Sequence, residues 1–156
     1  MIRILFVCHG NICRSPMGEY IFRDLAEKEG LSWFYEVDSA AVSREEIGNG
    51  VYPPARRVLA RYGVPCGDHR AKQMTMEDYV SFDLLIGMDW GNLSRMRHMT
   101  GGDPDGKCRL LLSFAGREEE IDDPWYTGDF ETAYRDIRRG CLALLAATRP
   151  GGGERE

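Results

Sequence analysis

Residues 2–7 (Ile-Arg-Ile-Leu-Phe-Val) are nearly all apolar, as expected of a strand buried on both faces of a parallel sheet. From Pro16 the pattern turns helical. Met17, Ile21 and Leu25 recur four residues apart with Phe22 and Ala26 beside them, and Gly30 ends the run. Pro16 suits the first helical turn, where a missing N–H costs nothing. A second strand is expected over 33–37, leading into Asp38-Ser39-Ala40-Ala41. Glycines, Asn49 and paired prolines make 43–54 a loop, and Pro54 opens a helix carrying Ala55, Val58, Leu59 and Tyr62, ended by Gly63. A short helix follows over 74–80, a third strand over 82–88, another short helix from Asp89 through Met96, and a fourth strand over 107–114. Residues 121–126 (Ile-Asp-Asp-Pro-Trp-Tyr) read as an exposed loop. From Asp129, the residues Phe130, Ala133, Ile137, Cys141, Leu144 and Leu145 form one long amphipathic stripe.

Strand–helix alternation predicts an α/β fold: three layers, with a four-stranded parallel sheet flanked by helices on both faces. No repeat or internal linker interrupts the 156 residues, so one domain is expected over 1–148. Pro150 and the three glycines after it mark 149–156 as a flexible C-terminal tail.

Composition narrows the function classes. Hydrophobic content of 43% and charged content of 29% are those of a soluble globular protein. A net charge of −5 argues against a general nucleic-acid binder, although one local positive loop suffices for a phosphorylated substrate. No apolar run is long enough for a membrane span, and no small-residue cleavage site follows the first hydrophobic run, so that run reads as a strand rather than a signal peptide. Five cysteines without framework spacing fit reduced thiols in a cytoplasm, with secretion lacking a signal peptide still compatible. Cys66-Gly67-Asp68-His69 has no second half for a zinc site and reads as a buried thiol near a useful histidine.

The chemistry concentrates in Val7-Cys8-His9-Gly10-Asn11-Ile12-Cys13-Arg14-Ser15-Pro16, a tight loop between the first strand and the first helix. Successive loop N–H groups and the helix N-terminus make an anion site, and Arg14 can fork onto two phosphate oxygens. A cysteine in that positive field is favoured as thiolate. Taken alone, Cys8 fits a buried strand-end cysteine, Arg14 a surface arginine, Ser15 a helix cap and Asp123-Pro124 a turn. Taken together, they put a sulfur nucleophile inside a phosphate cradle and offer an acid far downstream.

Cys8-x(5)-Arg14-Ser15 matches the signature of cysteine-dependent phosphatases. The longer string from Cys8 to Pro16 resembles the low-molecular-weight protein tyrosine phosphatases, and segments from Ile4 to about Leu145 match in order. The resemblance implies a metal-independent, cofactor-free hydrolysis of phosphotyrosine through a cysteinyl-phosphate. It gives Cys8 the nucleophile's role, Arg14 the phosphate clamp and Asp123, in Asp123-Pro124-Trp125-Tyr126, the general acid and base. It places His9, Gly10, Asn11, Ile12, Cys13 and Ser15 around the substrate, with Trp125 and Tyr126 as aromatic walls. Ser15 would also donate to the Cys8 sulfur, and Cys13 would pair with Cys8 under peroxide. Ser39 and His69 would brace the loop through Asn11, with Asp89 in support; Asp122 is the neighbour expected to matter little. The partner implied is a phosphotyrosine-containing protein, met by a monomer without nucleic acid or membrane.

Two positions depart from the pattern: His9 at the rim, and Arg44-Glu45-Glu46 where a rim aromatic is common. An arsenate reductase of the same fold would need two further cysteines near 87–90, where Gly87-Met88-Asp89-Trp90 stands instead. A non-catalytic phosphate-binding module would have no use for Cys8 and Asp123 together.

Overall fold

The structure, a computed structural model, describes residues 1–151. Four strands form one sheet in the order β2-β1-β3-β4: β1 (Ile2–Cys8), β2 (Tyr35–Ala41), β3 (Leu84–Gly87) and β4 (Cys108–Leu110). All three pairings are parallel, with Phe6 opposite Ser39 on one side and Ile86 on the other. Among the described residues six helices accompany them: α1 (Arg14–Lys28), α2 (Pro53–Arg61), α3 (Met76–Ser81), α4 (Trp90–Met99), α5 (Pro124–Thr127) and α6 (Phe130–Thr148).

Alternation along β1 builds two cores. Ile4, Phe6 and Cys8 face Met17, Ile21 and Phe22 of α1, Val58 and Leu59 of α2, and Ile137, Cys141 and Leu144 of α6. Leu5 and Val7 face the other way, onto Tyr79 of α3 and Leu93 and Met96 of α4. The sheet thus has helices on both faces, as expected. Two glycines let the first layer close. A Cβ at Gly18 would stand 2.8 Å from Phe6 Cδ1, and one at Gly140 would stand 2.5 Å from Leu111 Cγ. Either side chain would push a helix off its neighbour.

Several boundaries differ from the sequence expectation. Trp33 lies exposed in a 3₁₀ turn (Ser32–Phe34), and β2 instead runs on through Asp38-Ser39-Ala40-Ala41, since residues 39–41 are buried beside β1. The third strand is shorter than 82–88, because Phe82 closes α3. The fourth stops at Leu110: Leu111–Ala115 wind into a 3₁₀ turn packed on α6, which Gly116 ends in a left-handed conformation. Residues 121–126 are not wholly an exposed loop. Ile121 is fully buried and Pro124 starts α5. Cys66 is half-buried rather than buried.

Of the expected tail, Arg149 still donates from its N–H to Leu145 O and pairs with Glu29, while 152–156 lie outside the described residues. No helix among the described residues is long and apolar enough to cross a membrane.

The chain leaves β1 for β2 on one side and comes back to β3 on the other. The carboxyl end of β1 is therefore the switch point of the sheet, where open α/β folds bind ligands. The Cys8–Ser15 loop sits there.

Candidate active site

Cys8 ends β1, and the chain turns at once through Asn11, whose φ of 63° is left-handed. Asparagine tolerates this conformation better than other side-chain-bearing residues do. The turn aims loop N–H groups inward, so that Asn11 N–H and Ser15 N–H point at Cys8 Sγ from 3.3 and 3.4 Å. Ser15 Oγ stands 3.1 Å from the same sulfur. These donors surround the sulfur as they would a thiolate. The residue before α1, Cys13, gives no side-chain cap, so Ser15 is not the cap that its residue type suggested. A helix N-terminus with no cap side chain over it is ready to receive an anion.

Asn11 carries the bracing. Its Nδ2 donates to Ser15 Oγ at 2.7 Å and to Ser39 Oγ at 3.0 Å, and its Oδ1 accepts from Lys72 N–H at 3.1 Å. His69 Nε2 donates to Asn11 O at 2.7 Å, which sets the histidine tautomer. Ser39 Oγ passes its proton's bond to Glu19 Oε1 at 2.7 Å, and Glu19 is held in turn by Arg23. Because Asn11 already donates into Ser15 Oγ, the hydroxyl proton of Ser15 is left to the sulfur or, at 3.4 Å, to Ala40 O. Ser39 and His69 thus both bond to Asn11. Glu19 and Lys72 were not foreseen: a buried glutamate on the apolar side of α1 was the available signal for one, and a backbone N–H offers none for the other.

Arg14 is 2% exposed, with its guanidinium between two acids. Nη1 donates to Asp89 Oδ2 at 2.8 Å and to Ile121 O at 2.7 Å, so both its hydrogens are committed. Nη2 lies 3.3 Å from Asp123 Oδ2. The fork of Nε and Nη2 remains as the edge that can meet two phosphate oxygens. Burial pulls the Arg14 pKa down, but the nearby negative charges of Cys8, Asp123 and Asp89 outweigh it and leave it raised. Asp89 does double duty, because its other oxygen caps α4 at Asn92 N–H.

Asp123 reaches the site from the opposite wall. Its Oδ1 accepts from Trp125 N–H at 3.1 Å, capping α5. Upstream, Ile121 N–H bonds to Met88 O at 2.9 Å and anchors the loop to the end of β3.

Cys8, His9, Gly10, Ile12, Cys13, Arg14, Asp123, Trp125 and Tyr126 line a single pocket with Glu45 and Glu46 at its rim. Its volume of about 100 Å³ is well below the roughly 300–1,000 Å³ of a site for a whole small molecule. It admits one group of a larger ligand. Trp125 is half exposed and Tyr126 is 82% exposed, so both are walls rather than core. Asn11 and Ser15 of the loop are fully buried and do not line the pocket themselves. Asp122 faces away, onto a separate hollow with Thr127 and Asp129. At the rim His9 Nε2 lies 3.1 Å from Glu45 Oε1, while Asn49 donates to Glu46. Cys13 packs with Ile12 and Ala71; burial first, then the charge of Cys8, pushes its thiol up, so it stays protonated.

Comparison with known proteins gives the same picture. The family described as low molecular weight phosphotyrosine protein phosphatase matches residues 3–150. A low molecular weight protein-tyrosine-phosphatase of Bacillus subtilis, YfkJ, is 40% identical over 149 residues, covering 94% of this chain and 96% of its own. The human low molecular weight phosphotyrosine protein phosphatase is 40% identical over 147 residues, covering 91% and 92%. The crystal structure of YfkJ superposes with a TM-score of 0.92 at 39% identity, over 100% of this chain and 98% of that one. Neither an arsenate reductase nor a non-catalytic module is favoured by these matches. The chain belongs to the low-molecular-weight phosphotyrosine protein phosphatases and is a hydrolase of that class.

Proposed function

We propose that Cys8, Arg14 and Asp123 carry out a two-step transfer on phosphotyrosine in protein substrates. Cys8 Sγ attacks phosphorus; the S–P bond forms as the bond from phosphorus to the phenol oxygen breaks, and Asp123 gives its proton to that oxygen. Water then attacks the cysteinyl-phosphate, Asp123 takes the water's proton, and the P–S bond breaks to release phosphate. Arg14 binds two oxygens through Nε and Nη2 and does so best at the trigonal bipyramidal transition state. The Ser15 hydroxyl donates to the departing sulfur. The observation that carries this reading is the convergence on one pocket: Sγ ringed by three loop donors, with Arg14 and the Asp123 carboxylate, 3.3 Å apart, lining the same pocket.

The same reading takes residues 1–148 as one domain acting as a monomer in the cytoplasm, in keeping with five cysteines that are all unpaired. A phosphorylated aromatic side chain fits best, because Trp125 and Tyr126 offer flat faces above a pocket sized for one group.

Hydrolysis of para-nitrophenyl phosphate and of a phosphotyrosine peptide, with EDTA present, tests the mechanism. The wild type should be active, Cys8→Ser inactive, and Asp123→Asn slowed by about 10²–10⁴. Activity surviving in Cys8→Ser, or vanishing with chelator, would overturn it.

A further inference from the structure

Asp123 is held from two sides. One side is the Arg14–Asp89–Ile121 cluster already described. The other is aromatic. The Tyr52 ring lies 4.8 Å from the Trp125 ring, centroid to centroid, tilted by 50°, and 6.0 Å from Phe130. The backbone N–H of Tyr52 donates to Ile12 O at 2.9 Å, inside the phosphate loop. Tyr52 and Phe130 also pack on the small cluster that Ile12 and Cys13 of that loop make with Ala71. Tyr52 does not itself line the substrate pocket.

One residue thus touches both halves of the site: its main chain is tied to the loop of the nucleophile, and its ring to the segment of the acid. The link to the acid is short, because the N–H of Trp125 is the donor that fixes Asp123 Oδ1. That N–H belongs to the main chain, so the Tyr52 ring bears on the carboxylate by anchoring the Trp125 side chain and, through it, the backbone of 123–125.

We propose that Tyr52 is a positioning residue for proton transfer, setting where the Asp123 carboxyl stands relative to the sulfur of Cys8. This rests on the roles given to Cys8 and Asp123 above. The ring makes the contacts, so the hydroxyl is dispensable. A carboxyl displaced by even an ångström delivers its proton poorly, and the loss falls hardest on substrates whose leaving oxygen most needs that proton.

The test compares kcat/KM, which reports the first chemical step, for para-nitrophenyl phosphate and for phenyl phosphate, whose leaving oxygen is far more basic. Wild type, Tyr52→Phe, Tyr52→Ala, Asp123→Asn and the double variant Asp123→Asn/Tyr52→Ala are measured, each with its melting temperature. Tyr52→Phe should match wild type. Tyr52→Ala should lose about 10-fold on phenyl phosphate, a part of the 10²–10⁴ available from an acid, and under about 3-fold on para-nitrophenyl phosphate. The double variant should be no slower than Asp123→Asn alone. An equal loss on both substrates, no loss on either, or an additive loss in the double variant would overturn the proposal. Inactive wild type would instead defeat the mechanism itself, so the two failures are distinguishable. If Tyr52→Ala does not fold, Tyr52→Leu keeps the volume without the aromatic face and decides by the same substrate ratio.

Discussion

Residues 8–15 and residues 121–127 face each other across one pocket and are held by different means. In the first, Asn11, Arg14 and Ser15 are nearly or fully buried, and every polar side chain named is tied to others: Asn11 alone bonds to Ser15, Ser39, Lys72 and, through its carbonyl, His69. In the second, Trp125 and Tyr126 are open to solvent, and Asp123 rests on one backbone N–H and one guanidinium contact. The difference follows from the work. A loop that stabilises charge on sulfur and phosphorus must have its dipoles fixed before substrate arrives, since reorganising them during reaction would raise the barrier. A proton donor must meet a ring that enters from solvent, so its segment stays at the surface. Substitutions in the first loop should therefore disturb rate and fold together, and those in the second rate alone.

The strongest challenge to that contrast is Arg14→Lys. Lysine keeps the charge but loses the fork and leaves the Asp89 and Ile121 acceptors short of donors, so kcat should fall by about 10²–10³. A loss under tenfold would mean that point charge suffices and that the planar edge of Arg14 is not what binds phosphate. Asn11→Ala comes next. It removes the side-chain brace and places alanine at a left-handed φ, which should lower unfolding free energy by about 3 kcal/mol and kcat by roughly tenfold. Denaturant melts beside steady-state assays would show both; a stability loss with full kcat would uncouple the brace from the chemistry. By contrast Asp123→Asn should melt like wild type while losing its rate. The smallest effect belongs to Asp122→Asn, which should change kcat less than about twofold, as surface substitutions away from a site do. A large loss there would move the acid one residue upstream.

Much of this was legible in the chain. The strand, the glycine-bearing loop and the helix with Pro16 in its first turn are local signals, and they locate Cys8 and Arg14 without any tertiary knowledge. Asp123 was legible through Asp-Pro-aromatic-aromatic spacing once a family resemblance had given that string a meaning. What escaped depends on contacts between distant segments. Ile121 contributes a carbonyl, which every residue has, so nothing in its side chain announces that it orients Arg14. Tyr52 looks like an ordinary residue before a proline pair until Trp125, far along the chain, is laid over it. The fourth strand was overextended for a related reason: Leu110, Leu111 and Leu112 are all buried, and an apolar run does not say whether its second half pairs with β3 or turns to pack on α6.

The hydrogen bond from Arg14 to the Ile121 carbonyl spans 107 residues of sequence. During synthesis at roughly 5–20 residues per second, the arginine would leave the ribosome on the order of 5–20 s before its last ligand. Cys8 and Arg14 are thus made early, yet Asp89 and then Ile121 and Asp123 must arrive before the guanidinium is oriented and the acid is opposite the sulfur. A nascent chain carries the nucleophile without the machine. Catalytic competence cannot precede the emergence of Asp123, so a shorter nascent chain is spared from acting on phosphate esters.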